Sequence, residues 1–255
     1  MAVATLCFQS QLLHRPVSLY TLLPDTSPIK SVLYLLHGYS DGQASFIYNS
    51  ALVQYCAGTP LAVVMPEAQC SFYIDTAYGQ PYWEHVSEEI PKILQQWLQL
   101  DIPRAHSFVG GISMGGYGAA KLALQKPSHF AQAYLFSPVT DIVKISQQGF
   151  GHEKGNGAPP FNKLHFDALL GNRHIRDTSD DLFFLLEHGH VAQFPKFKIY
   201  TGTEDFMYND ILHFAQTLTK EGVDCSLQTS PGNHGWRTWE PFLADMVAHI
   251  AACAQ

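Results

Sequence analysis

The stretch that decides the fold of this chain is "FVGGISMGGYGAAKLALQKP", which runs from Phe108 to Pro127. It places one serine, Ser113, among five glycines, between a short apolar run and a run of good helix formers. Glycine costs backbone entropy, so a cluster of it marks a place where the backbone must turn sharply or pack closely. The stretch therefore predicts a strand at 107–109, a tight turn at Ser113 and a helix over 117–125.

The residues from Gly111 to Gly115 fit G-x-S-x-G, the pattern of the nucleophile elbow in α/β-hydrolases. In that turn the residues two positions before and after the serine pass close together, so only small side chains fit there. The alternative is a glycine-rich turn that carries a serine by chance. The predicted strand before the turn and the helix after it favour Ser113 as a nucleophile.

The composition of the whole chain is that of a globular protein. Its 255 residues suit one large domain, with 46% hydrophobic and 15% charged residues. A net charge of −7 and scattered Lys and Arg residues argue against a nucleic-acid partner or an anionic membrane surface. The longest apolar runs, at 32–36 and 61–65, are too short to cross a bilayer but suit buried parallel strands.

Strands and helices alternate along the chain, which predicts a mostly parallel sheet covered by helices on both faces. We expect one α/β-hydrolase domain over residues 1–255, with a cap-like insertion at about 138–195. A glycine- and proline-rich piece at 149–161 and a helix at 180–188, capped by Ser179, lie in that insertion. The predicted strands are 5–11, 16–23, 31–36, 61–65, 107–109, 131–136, 197–200 and 223–228. The other predicted helices are 45–57, 82–100 with a kink or break at Pro91, 209–221 and 238–252.

A serine hydroxyl needs a general base within hydrogen-bond reach, and that base needs an acid to orient it. In α/β-hydrolases the acid and then the histidine follow the serine along the chain. Of the nine histidines after Ser113, His234 is the one directly between the last predicted strand and the last helix. Glu204 and Asp205 both follow the strand at 197–200, and both are candidates for the acid.

The developing oxyanion needs two N–H donors. The residue after the nucleophile, Met114, supplies one at the start of a helix, where the dipole favours negative charge. The second donor is expected in the loop from His37 to Tyr39, after the strand at 31–36. His37 itself is interpreted as a structural histidine that orients this loop.

No cofactor and no metal are predicted, because no tight group of His and acidic residues and no H-E-x-x-H appears. Five widely spaced cysteines without C-x-x-C spacing are interpreted as buried free thiols in a reducing compartment. Together with an N-terminus that lacks the pattern of a signal peptide, this predicts a cytoplasmic protein, with a homo-oligomer left open.

Five stretches together resemble the esterase D branch of the α/β-hydrolases, most closely its tributyrin-esterase and feruloyl-esterase-like members. They are "LYLLHGYSD" (33–41), "GGISMGGYGAAKLAL" (110–124), "DLFFLLEHG" (181–189), "YTGTEDFMYND" (200–210) and "PGNHGW" (231–236). The resemblance implies Ser113 as nucleophile, Asp205 as acid, His234 as base, and the N–H groups of Tyr39 and Met114 as the oxyanion hole. Gly235 and the piece at 149–160 depart from the family pattern, which puts substrate preference in doubt.

The sequence therefore predicts a serine carboxylesterase that hydrolyses small, soluble short-chain esters through an acyl-enzyme. The first alternative is a thioester hydrolase of the S-formylglutathione hydrolase type, which shares the chemistry. The second is a binding protein on a catalytically dead hydrolase scaffold.

Overall fold

An eight-stranded sheet runs through the protein in the order β1-β2-β4-β3-β5-β6-β7-β8. The structure is a computed structural model and describes residues 1–25, 28–148 and 163–253. β2 pairs antiparallel with β1 and β4, and all the later pairs are parallel. The strands are β1 (Ala2–Gln9), β2 (Pro16–Leu23), β3 (Ser31–Leu36), β4 (Leu61–Pro66), β5 (Ser107–Ile112), β6 (Gln132–Phe136), β7 (Lys196–Gly202) and β8 (Cys225–Ser230).

Helices connect the parallel strands and cover both faces of the sheet. Along β3, Val32 and Leu36 belong to one cluster of buried side chains, whereas Leu33 and Leu35 belong to another. The α-helices in the described residues are α1 (Ser45–Asn49), α2 (Leu52–Cys56), α3 (Tyr82–Glu84), α4 (Ile90–Leu98), α5 (Met114–Gln125), α6 (Ile142–Gln148), α7 (Lys163–Leu170), α8 (Leu182–His188), α9 (Tyr208–Lys220) and α10 (Trp236–Cys253). The mostly parallel sheet predicted from the sequence is confirmed.

Two of the predicted helices are interrupted in the structure. The predicted helix at 45–57 is divided into α1 and α2. The predicted break near Pro91 takes the form of a π-helical stretch, His85–Glu89, which joins α3 to α4 immediately before the proline. Such a stretch re-routes the backbone hydrogen bonds that a proline within a helix cannot make.

Helix α8 is capped by Asp181, so the prediction of Ser179 as its N-cap was wrong. The Asp181 carboxylate accepts hydrogen bonds from the N–H groups of Phe183 and Phe184. Asp181 is one position before Leu182, the first helical residue, and its side chain reaches these amides. Ser179 lies three positions before Leu182, too far for its side chain to reach them.

Helices α6, α7 and α8 lie between β6 and β7, within the predicted insertion at 138–195. Its glycine- and proline-rich piece at 149–161 lies outside the described residues. At the other end of the insertion, Lys121 of α5 is 1% exposed and its Nζ lies 2.5 Å from Oδ1 of Asp180. Nζ also donates to the carbonyl of Tyr73, so a buried cation fastens this end of the insertion to α5.

Within the described residues, no helix is both long enough and apolar enough to span a membrane. All five cysteines are free. Cys56 is buried, and burial raises the pKa of its thiol to about 12. Cys7 and Cys253 are exposed, so the expectation that the thiols are buried was wrong for these two.

Candidate active site

Ser113 lies at the turn between β5 and α5, in a backbone conformation that is rare for a residue with a side chain. Its φ is 54° and its ψ is −114°. Three hydrogen bonds fix its backbone: its N–H donates to Phe136, and its carbonyl accepts from the N–H groups of Tyr117 and Val139. A strained residue persists where its surroundings determine it this fully, and such residues cluster at active sites.

The glycines around Ser113 are required by close backbone contacts. A Cβ atom on Gly111 would lie 2.3 Å from the carbonyl oxygen of Gly115. A Cβ atom on Gly115 would lie 2.1 Å from the carbonyl oxygen of Leu36. The predicted close approach of the residues two positions either side of Ser113 is therefore confirmed.

Asp205 and His234 lie on two loops that follow adjacent strands, β7 and β8. Glycines allow these loops to touch, because a Cβ atom on Gly202 would lie 2.1 Å from the carbonyl oxygen of Gly232. The N–H of Glu204 donates to that same carbonyl. The contact between the two loops brings Asp205 to His234.

Nδ1 of His234 lies 2.9 Å from Oδ2 of Asp205, while Oδ1 of the same carboxylate accepts from the N–H of Met207. The Asp205 side chain is fully buried. Burial opposes its ionisation, but the hydrogen bond and charge of His234, with the Ser137 hydroxyl and the Met207 amide, hold its pKa below the usual value. Of the two sequence candidates for the acid, Asp205 contacts the imidazole, whereas Glu204 is exposed.

Aromatic rings flank the imidazole of His234 on two sides. The Phe206 ring lies 4.8 Å away and the Trp239 ring 5.0 Å away, centre to centre. The indole N–H of Trp239 donates to Ser137, the residue whose hydroxyl also stabilises the Asp205 carboxylate. These contacts fix the plane of the imidazole. The sequence pattern did not indicate Ser137, which follows β6 directly.

His37 holds the loop that carries Tyr39, as expected of a structural histidine. Its Nε2 accepts from the N–H of Ala68 and its Nδ1 donates to the carbonyl of Gly38. The hydroxyl of Tyr73 donates to the His37 carbonyl. Met114 is the first residue of α5, so its N–H is among the first-turn amides that have no partner within the helix.

A cavity of about 220 Å³ brings Ser113, His234 and Tyr39 together, with Asp205 behind the histidine. The structure thus assembles, at the carboxyl ends of the parallel strands, residues that the sequence places more than 190 positions apart. The other residues that line the cavity are Gly38, Asp41, Ile112, Phe206, Gly235, Trp236 and Trp239.

The cavity wall contains residues that the sequence pattern did not single out. Phe206 and Trp236 lie next to the candidate acid and near the candidate base in sequence, so their positions were a usable signal. Asp41 ends the "LYLLHGYSD" stretch, but nothing in the pattern indicated that it faces the site. Phe166 of α7 is 1% exposed and packs on Phe72.

A larger cavity of about 340 Å³ lies near the amino-terminal ends of β3 and β5, and Val32 and Ser107 are among its lining residues. None of the candidate catalytic residues reaches it, so its size does not make it the candidate active site. Among the residues described, no group of three or more His, Cys, Asp or Glu side chains is placed to hold a metal ion.

Comparisons with known proteins agree with this geometry. The family model named Esterase matches residues 10–250. An acetyl esterase of Caldicellulosiruptor saccharolyticus is 27% identical over 263 residues, which cover 96% of each chain.

Two solved structures from Staphylococcus aureus are also similar. A fluorophosphonate-binding serine hydrolase superposes with a TM-score of 0.85 at 28% identity, and an S-formylglutathione hydrolase with 0.84 at 28% identity. Each match covers 98% of both chains. The fold is that of the α/β-hydrolases, and the predicted esterase activity is confirmed over the dead-scaffold alternative. With the match over residues 10–250 and a serine at a strained strand-to-helix turn, this carboxylic ester hydrolase belongs to the Esterase family.

Proposed function

We propose that this serine carboxylesterase hydrolyses small, short-chain esters through an acyl-enzyme on Ser113. His234 acts as general base and acid, Asp205 orients it, and the N–H groups of Tyr39 and Met114 bind the oxyanion. The observation that carries the proposal is the hydrogen bond between His234 and Asp205 beside the cavity that Ser113 lines.

The mechanism follows from which nitrogen of His234 is occupied. Because Nδ1 donates to an ionised carboxylate, Nε2 is the nitrogen available to accept a proton from Ser113. The Ser113 oxygen then attacks the ester carbonyl, and the tetrahedral oxyanion forms within reach of the two amides. His234 returns the proton to the leaving alcohol and leaves the acyl group on Ser113. A water molecule, activated by His234, then attacks this acyl-enzyme ester. The carboxylic acid is released and Ser113 regains its proton.

The size of the cavity supports a short acyl group. About 220 Å³ bounded by Phe206, Trp236 and Trp239 holds a small ester but not a long alkyl chain. The acetyl esterase among the relatives acts, by its name, on esters of a two-carbon acid. We further propose that residues 138–195 form a cap over this cavity, that the protein is cytoplasmic, and that it acts as a monomer or homo-oligomer on a small-molecule ester.

One relative is an S-formylglutathione hydrolase, and this favours a second candidate, a thioester substrate. Serine, histidine and oxyanion hole perform the same steps on either substrate. The ratio of kcat/KM on a matched ester and thioester, such as ethyl acetate and S-ethyl thioacetate, separates the two. A thiolate is intrinsically the better leaving group, so we expect some preference for the thioester. We expect it to stay below about tenfold, because the described lining residues include no Lys or Arg that would bind an anionic thiol.

The test of the nucleophile is covalent labelling. An alkyl fluorophosphonate should add to the peptide that contains Ser113, as seen by mass spectrometry, and should abolish hydrolysis of p-nitrophenyl acetate. Ser113→Ala should remove both labelling and turnover. Its melting temperature should be close to that of the wild-type protein. Labelling at another serine, or wild-type turnover in Ser113→Ala, would remove Ser113 from the proposal.

A further inference from the structure

One carboxylate in the cavity wall has no role in the proposed chemistry. Asp41 lies in the loop after β3, on the wall that Ser113 and His234 also line. Its N–H donates to the carbonyl of Gly38, and its Oδ2 lies 3.4 Å from where a Cβ atom on Gly38 would be. The charge of Asp41 is therefore next to the loop that presents the N–H of Tyr39.

No cation within the described residues balances this charge. Asp41 forms no salt bridge in the described parts of the chain. The described residues that line the cavity include no Lys or Arg. Partial burial raises the pKa of the Asp41 carboxyl, against the opposing effects of His37 and Ser45, as expected for a desolvated carboxylate without a counter-ion.

The rest of the wall is aromatic. Tyr39, Phe206, Trp236 and Trp239 contribute rings around the same small space. A cation is attracted to the electron-rich faces of such rings, and ammonium groups are commonly held by aromatic cages that contain a carboxylate. An anion placed in this cavity would meet the charge of Asp41, and the described lining residues offer it no Lys or Arg.

We infer that the cavity selects esters that carry an ammonium group, with Asp41 and the surrounding aromatic rings as the specificity-determining contacts. The inference rests on the proposed function, because it names the substrate class of that site. A negative charge beside the oxyanion hole disfavours the transition state of a neutral ester, and a cation on the substrate offsets that charge. Asp41 is thus a specificity residue that takes no part in proton transfer.

Three acetate esters of similar shape test the inference: acetylcholine, its neutral carbon isostere 3,3-dimethylbutyl acetate, and the anionic 3-sulfopropyl acetate. The wild-type enzyme should hydrolyse the cationic ester with a kcat/KM about tenfold above that of the neutral isostere. The anionic ester should be the poorest of the three. Equal values for the cationic and neutral esters would overturn the inference while leaving the esterase function standing.

The variant Asp41→Asn should lower kcat/KM for acetylcholine about tenfold and raise that for 3,3-dimethylbutyl acetate, because it removes the negative charge beside the oxyanion hole. Asp101→Asn is the matched control, because it removes one exposed negative charge near the other end of the sheet. It should leave kcat/KM for both esters at the wild-type values. An equal fall on both esters in Asp41→Asn would assign Asp41 a purely structural role and overturn the inference.

A binding measurement needs neither turnover nor a folded Asp41 variant. In Ser113→Ala, choline should change the fluorescence of Trp236 and Trp239 with a Kd about tenfold below that of 3,3-dimethylbutan-1-ol. Equal or weaker binding of choline would overturn the inference. Failure of the fluorophosphonate to label Ser113 counts only against the proposed function, so the two failures are distinguishable.

Discussion

The carboxylate of Asp205 holds the imidazole of His234 across two loops, with 2.9 Å between Oδ2 and Nδ1. Met207 occupies the other carboxylate oxygen, and aromatic rings flank the imidazole, so the pair has one arrangement. The orientation of the His234 imidazole is therefore fixed in the folded protein before substrate binds.

Replacing Asp205 by Asn should cost far more activity than replacing its neighbour Glu204 by Gln. An amide cannot stabilise the imidazolium that forms during attack, and in serine proteases the equivalent change lowers kcat about 10⁴-fold. Glu204 is exposed, so Glu204→Gln should stay within about twofold of wild type. Steady-state kinetics on p-nitrophenyl acetate checks both. A larger loss in Glu204→Gln would reverse the assignment of the acid.

Replacement by alanine should strongly destabilise the protein at Gly115 and have little effect on its stability at Gly235. Gly115→Ala forces a Cβ atom to within 2.1 Å of a backbone oxygen that cannot move, and should destabilise the fold by about 3 kcal/mol or more. At Gly235 the nearest atom to such a Cβ is the side-chain oxygen of Asn233 at 3.5 Å. The free energy of unfolding of Gly235→Ala should therefore lie within about 0.5 kcal/mol of the wild-type value. Urea denaturation measures both, and a stable Gly115→Ala protein would contradict the close packing of α5 against the end of β3.

Activity on p-nitrophenyl esters should be highest for acyl chains of roughly two to four carbons. The cavity is about 220 Å³ and Trp236 and Trp239 are among its lining residues, so part of a longer acyl chain must stay outside it. Each methylene that stays in water forgoes about 0.8 kcal/mol of burial. The measurement is kcat/KM over two to twelve carbons below the micelle concentration. A steady rise up to twelve carbons would be incompatible with the prediction.

Asp41 should lower the stability of the protein at neutral pH. Burial raises the pKa of its carboxyl in the folded protein above the usual 3.8. Between these two pKa values the folded protein retains a proton that the unfolded chain has lost, so stability falls as pH rises through that window and stays lower above it. Asp41→Asn should therefore raise the melting temperature at pH 7.5, and the gain should shrink as pH falls towards 3.8.

Thermal melts at several pH values, with Asp101→Asn alongside, check this prediction. Asp101 is exposed, so at each pH the melting temperature of Asp101→Asn should stay close to that of the wild-type protein. If Asp41→Asn melts below wild type at pH 7.5, the carboxylate stabilises the loop and the predicted sign of the effect is wrong.

Much of the fold could be predicted because its signals are local. β2 and β3 have the bounds that their apolar runs indicate, and the elbow glycines indicated a turn that the close contacts of Gly111 and Gly115 require. The helix at 82–98 was harder, because the way a chain accommodates Pro91 depends on the whole helix. The cap of α8 was missed because neighbouring Ser and Asp residues offer equivalent caps in sequence, and only the start of the helix selects Asp181.

The candidate site was predictable where chain order carries information. Ser113, Asp205 and His234 each follow a strand, and the carboxyl ends of parallel strands meet at one edge. Asp41 and Ser137 were not found, since their importance lies in which side chains surround them: a cavity wall for one, and Trp239 with Asp205 for the other. Such relationships between distant loops leave no periodic pattern.

The buried contact between Lys121 and Asp180 divides the segment between β6 and β7 into two parts. Substitutions and replacements should be tolerated better before Asp180 than at Asp180 itself. Lys121 belongs to α5, the helix that begins directly after Ser113, so an exchange that removes its carboxylate partner would leave an unpaired cation in the core. A chimera that replaces the segment between β6 and β7 by that of a relative should therefore place its second junction before Asp180 and retain α8. The segment upstream of that junction can then be exchanged while α5, which follows Ser113, keeps its buried ion pair.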